Sequence, residues 1–143
     1  MSAIVCAIRG GPASQPTIEL AIELAQEKGL PLFFLYVVNL DFLAHTSGSR
    51  VHTISQEMHR MGEFILLMAQ ARAQERGVST QGVIRDGRVR EEITRLCREV
   101  GATYVVLGRP KAEEETAFFT AEMLREFIAG MERETGAKVV LPG

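Results

Sequence analysis

The chain predicts a doubly wound α/β fold: a five-stranded parallel sheet in the order 3-2-1-4-5, helices on both faces, Rossmann-like, as one domain over residues 1–143. Three observations carry this. Apolar runs and helical stripes alternate along the whole chain, as strand–helix–strand units with right-handed crossovers do. The runs are mostly continuous rather than alternating in polarity, as strands covered on both faces must be. Four helical stripes close on glycine, at Gly29, Gly77, Gly101 and Gly136, each with an apolar run a few residues on. A left-handed residue after a helix makes that connection to a strand.

Ile4 to Ile8 is the first buried strand, and Arg9-Gly10-Gly11-Pro12 is a turn that no strand or helix interior tolerates. Ser14 is placed as the N-cap of the first helix, with Pro16 in its first turn and Ile18, Ala21, Ile22 and Ala25 as its stripe. Leu32 to Val38 is the second strand, and residues 39–52 read as a long polar loop. Thr53 and Gln56 have the spacing of a capping box at the start of a long helix. Its stripe of Ile54, Met58, Met61, Ile65 and Met68 is expected to face the core.

Thr80 to Ile84 is shorter and more polar, which suits a strand at or near an edge. Asp86-Gly87 turns into a helix bearing Val89, Ile93, Leu96, Cys97 and Val100. Ala102 to Gly108 follows as the fourth strand, opening into a loop at Arg109-Pro110. A polar segment from Lys111 to Glu115 leads to a helix with Phe119, Met123, Phe127, Ile128 and Met131. Lys138 to Leu141 is the last strand. In such a sheet ligands bind at the carboxyl ends of the strands, so Gly108 and the residues after it are where a small molecule is expected.

Composition bounds the partners. With 46% hydrophobic and 24% charged residues the chain is an ordinary globular one, and a net charge of −2 gives no pull toward nucleic acid or a membrane surface. The first residues carry no basic region ahead of the apolar run, and no run approaches the roughly 20 residues of a spanning helix. Cytoplasmic residence is the expectation. Cys6 and Cys97 fall in a strand run and on an apolar helix side, where small buried hydrophobes are expected rather than a disulfide.

Two phosphate chemistries are disfavoured by the first strand's end. A phospho-acceptor receiver needs acidic residues there to hold Mg²⁺ by oxygen ligands, and Arg9-Gly10 stands instead. A glycine-rich phosphate loop needs several spaced glycines, and here two adjacent ones precede a proline that has no N–H.

Five segments in order resemble the universal stress proteins: Ile4 to Ser14, Leu32 to Val38, Val83 to Ile93, Gly101 to Gly108, and Val139-Val140-Leu141-Pro142. The resemblance covers nearly the whole chain. It implies a small binding or regulatory domain active in stress response, in members that dimerise through the last strand, here Lys138, Val139, Val140 and Leu141. Nucleotide-binding members carry Gly, two residues, Gly, nine residues, Gly and Ser or Thr after the fourth strand. This chain keeps only Gly108; Lys111 occupies the second glycine position, and Ala112 to Ala117 has none. Three successive carboxylates, Glu113 to Glu115, would repel a triphosphate by about 1 kcal/mol or more per close pair. The aspartate that ends the first strand in such members is Arg9 here.

The candidate ligand-binding residues are therefore Arg9, Gly10, Val38, Gly87, Gly108, Arg109 and Lys111. Arg9, Arg85, Arg88, Arg109 and Lys111 all fall at strand ends, so the sequence offers either a cationic pocket for a small anion or a solvated rim offset by nearby acids. His45, His52 and His59 recur every seven residues, about 10 Å apart along a helix and too far to share a metal. Ser14 has no histidine or acid near it in sequence, so no catalytic set is assigned. The reading that follows is a homodimeric, non-enzymatic regulatory module that does not bind ATP in the usual family way. The alternative is an ATP- or AMP-binding stress protein with a divergent phosphate loop.

Overall fold

The computed structural model describes residues 2–43, 48–109 and 121–143. Its strands are β1 (Ala3–Ala7), β2 (Leu32–Val38), β3 (Thr80–Asp86), β4 (Ala102–Val106) and β5 (Lys138–Val140). Its helices are α1 (Gln15–Lys28), α2 (Gly48–Glu75), α3 (Val89–Val100) and α4 (Ala121–Thr135). The strands form one parallel sheet in the expected order β3-β2-β1-β4-β5.

Residues of period two separate the two layers of core. Ile4, Cys6, Leu32, Phe34, Tyr36 and Val106 face the α1 and α2 side with Ile18, Ile22 and Leu66. Val5, Leu35, Val105 and Leu107 face the α3 and α4 side with Ile93, Leu96 and Met131. Both cysteines are buried and free. Removal from water pushes the Cys97 thiol up to about 12 and the Cys6 thiol higher still.

Three local expectations are corrected. α2 begins at Gly48, inside the stretch read as loop, so Thr53 lies within the helix. There its hydroxyl donates to the Ser49 carbonyl at 3.1 Å, the back-bond of a mid-helix threonine rather than a capping box. Ser14 precedes α1 but makes no side-chain cap; its hydroxyl donates to the Arg9 carbonyl at 2.5 Å.

The third correction concerns the face α2 buries. Gly62, Leu66, Ala69 and Ala73 are buried, with Met58 and Ile65 half-buried beside them, while Met61 and Met68 point into solvent. Close approach explains it. A Cβ on Gly62 would stand 2.6 Å from the Tyr36 ring, and one on Gly82 3.2 Å from Leu66 Cβ, so the helix lies on the sheet along its small residues. Phe119 and the Lys111 to Glu115 segment lie outside the described residues.

Candidate functional site

The carboxyl ends of β1 and β4 sit side by side at the middle of the sheet, where the chain's connections diverge to opposite faces. Two hollows open there, and a groove of about 530 Å³ between α1 and α2 reaches the same turn at Arg9, Gly10, Gly11 and Ser14. One, of about 270 Å³, lies on the α1 side between Gly10, Ser14, Thr17 and Gly108. The other, of about 300 Å³, lies on the α3 and α4 side and is walled by Leu35, Val37, Val89, Ile93, Leu107 and Phe127. Arg9 and Gly108 line both.

The turn after β1 is held in place by backbone bonds. Ile8 N–H donates to the Leu35 carbonyl at 2.9 Å and Ser14 N–H to the Gly11 carbonyl at 3.1 Å. Gly11 sits at φ 92°, in the left-handed region that favours glycine. The turn thus presents Arg9 at the rim, exposed, and its guanidinium has no hydrogen-bond or ion-pair partner among the described residues. Gly108 faces the Thr17 hydroxyl: a Cβ there would lie 3.4 Å from Thr17 Oγ1, an ordinary contact.

Electrostatics favour an anion on the α1 side. The first turn of α1 has no acidic residue, so the positive end of its dipole faces the polar hollow uncompensated by its own side chains. Thr17, 2% exposed, adds a buried hydroxyl facing Gly108. Sequence reasoning did not single out Thr17; its spacing of three from Ser14 on a helix whose N-terminus meets a strand end was the available signal.

The structure disperses the other candidates. Arg85 is turned to Glu99 at 2.5 Å and Glu92 at 4.0 Å. Arg88 reaches Asp41 at 3.6 Å and Glu91 at 4.0 Å. Arg109 Nε donates to the Pro142 carbonyl at 2.8 Å, tying the end of β4 to the end of the chain. Val38 is buried in the α1 and α2 core, and its carbonyl accepts from Gly87 N–H at 3.0 Å, so these two close the β2–β3 end and line neither hollow. Lys111 lies outside the described residues.

Of the rim's arginines, Arg9 alone is left without a described partner. The hydrogen bond from Arg85 lowers the Glu99 carboxyl below its ordinary value, and that from Arg90 does the same to Glu134. His59 is paired with Asp86 at 2.7 Å, and His52 is exposed. His45 lies outside the described residues.

A doubly wound parallel sheet in this order, with hollows at its central strand ends, defines a Rossmann-like α/β domain. The universal stress protein family model matches residues 1–124, and the chain belongs to that family. Among solved structures, the universal stress protein UspA from Lactobacillus plantarum is 13% identical, with 99% of this chain and 97% of that one covered and a TM-score of 0.78. A protein of the family from Burkholderia pseudomallei is 23% identical over 99% and 96% of the two chains, with a TM-score of 0.68. The universal stress protein from Archaeoglobus fulgidus, solved in complex with dAMP, is 14% identical over 100% and 98%, with a TM-score of 0.65. No curated protein matches the chain.

Proposed function

We propose that this chain is a regulatory binding module of the stress response that takes a small anionic ligand at Arg9 and does not hold ATP in the usual family way. The observation that carries the reading is the Arg9 guanidinium, without a partner among the described residues and lining a hollow on each side of the central strand ends. A planar fork of donors suits a carboxylate or phosphate, and the α1 N-terminus lies on the same side. The glycine positions that admit a triphosphate in nucleotide-binding relatives are not kept after Gly108, where Lys111 and Glu113 to Glu115 stand. On this reading the role is binding; the Ser14 hydroxyl donates to the Arg9 carbonyl and holds the turn that presents Arg9.

A second reading, adenine-nucleotide binding through a divergent loop, is favoured by the relative solved with dAMP. We further propose cytoplasmic residence and a homodimer through β5, which pairs only with β4 among the described residues. Among the described residues no helix is long and apolar enough to cross a membrane.

Native mass spectrometry of freshly purified wild type and Arg9→Ala separates the readings. A small carboxylate or phosphate carried by the wild type and absent from the variant supports the first. ATP or AMP carried equally by both contradicts it and supports the second.

A further inference from the structure

α2 has two apolar faces, and the fold uses one. Met61, Phe64, Leu67 and Met68 are 56%, 65%, 65% and 60% exposed, four of the six large hydrophobic side chains exposed among the described residues. At roughly 200 Å² of accessible surface per side chain they leave about 490 Å² of apolar area in one patch, near the upper end of what a monomer shows. The sequence along this face is periodic. Ile54, Glu57, Met61, Phe64, Met68, Ala71 and Glu75 follow one another at alternating spacings of three and four, the repeat of a helix–helix seam. Beside the patch a groove of about 530 Å³ runs between α1 and α2, with Ile18, Phe64, Ile65 and Met68 in its walls, and Arg9 and Gly10 of the turn after β1 line it too.

We propose that this face is a contact between two copies of the chain, α2 lying antiparallel on α2 about a two-fold axis. The register is self-complementary. An axis between Phe64 and Ile65 sets Met61 opposite Met68 of the second copy and Glu57 opposite Arg72; Arg72 already pairs with Glu19 at 2.6 Å and donates to Gln15, so the donors it has left face Glu57 at both ends of the apolar centre. A parallel pairing would instead set Glu57 on Glu57 and Arg72 on Arg72. Two such patches bury about 1,000 Å² from the four side chains alone, and Arg60, Glu63 and Ala71 alongside bring the total into the range of specific interfaces, upward of about 1,200 Å². The groove between α1 and α2 receives the bulk of Phe64 from the second copy.

The contact is separate from the one proposed at β5. α2 packs on β2 and β3, and β5 forms the opposite edge of the sheet. Copies joined through both contacts form species larger than a dimer.

Disulfide trapping reads the α2 contact independently of β5. In the Met61→Cys/Met68→Cys variant the two new thiols are seven residues apart on one helix, roughly 10 Å, too far to join within one chain. The buried Cys6 and Cys97 do not compete. Mild oxidation is expected to give a covalent dimer from the double variant and little from either single one, and Phe64→Lys is expected to weaken self-association in sedimentation about thirtyfold or more. Position 64 is largely solvent-exposed within one copy, so an unchanged circular-dichroism spectrum in Phe64→Lys is the expected control for folding. No covalent dimer from the double variant, or single variants trapped as readily as the double, overturns the proposal.

Discussion

Replacing Gly62 with alanine tests how closely α2 lies on the sheet. In an exposed helix interior the change stabilises by about 0.5–1 kcal/mol, because glycine surrenders more backbone freedom on folding. At this position the new methyl would meet Tyr36 Cδ1 at 2.6 Å and Cε1 at 2.9 Å, closer than carbon atoms approach. The Tyr36 ring is buried within the α1 and α2 core, so it cannot swing into solvent, and the helix must lift instead. Overpacking of this kind costs about 1–3 kcal/mol, which outweighs the propensity gain and leaves a net loss of about 1–2 kcal/mol. For a domain of this size that lowers Tm by about 3–8 °C, readable by calorimetry or circular dichroism. In a Tyr36→Leu background the obstruction is gone, and Gly62→Ala should then be neutral or stabilising, a coupling that a double-mutant cycle isolates. A Gly62→Ala protein as stable as the wild type would refute the close-approach account and reopen the face that α2 buries.

Two further outcomes follow from the charges and thiols. Arg85 and Arg90 hold the Glu99 and Glu134 carboxyls below their ordinary value of 4.5. A carboxyl lowered in the folded state stabilises above its unfolded value and loses that contribution as pH falls through the lowered one. The stability difference between wild type and an Arg85→Met/Arg90→Met variant should therefore be constant near neutrality and shrink below about pH 4.5; a difference that grows toward acid would contradict the pairing. Burial raises both cysteine thiols far above neutrality, so a thiol-specific reagent at pH 7.5 should label neither Cys6 nor Cys97 until denaturant is added. Labelling of the native protein within minutes would show that one of them is accessible.

The fold was legible because its signals are local. Continuous apolar runs such as Leu32 to Val38 and the left-handed glycines at Gly29, Gly77, Gly101 and Gly136 need only neighbouring residues to be read. The buried face of α2 was not legible in the same way. Met61 and Met68 and the set Gly62, Leu66, Ala69 and Ala73 recur with the same helical period, and side-chain size favoured the wrong pair. The choice was made by a tertiary contact, Gly62 on Tyr36, that the sequence does not display.

What each arginine of the rim does was not legible, for a related reason. Spacing places Arg85, Arg88 and Arg109 at strand ends, but what each guanidinium does depends on groups brought from afar, such as Glu99 fourteen residues along or Pro142 thirty-three. Arg9 stood apart only once those partners were known. The start of α2 was obscured by the polar residues from Gly48 to Thr53, which favour a turn locally and join the helix because the longer helix packs beyond them.

The central claim is the proposed small-anion site at Arg9, which has no partner among the described residues, in place of ATP binding in the usual family way. Calorimetric titration of the wild type and Arg9→Ala with Mg·ATP, AMP, inorganic phosphate and short-chain carboxylates tests it most directly. The account predicts saturable heat from a small anion with the wild type, its loss in Arg9→Ala, and no saturable heat from Mg·ATP with either. Tight Mg·ATP binding that survives Arg9→Ala would contradict it.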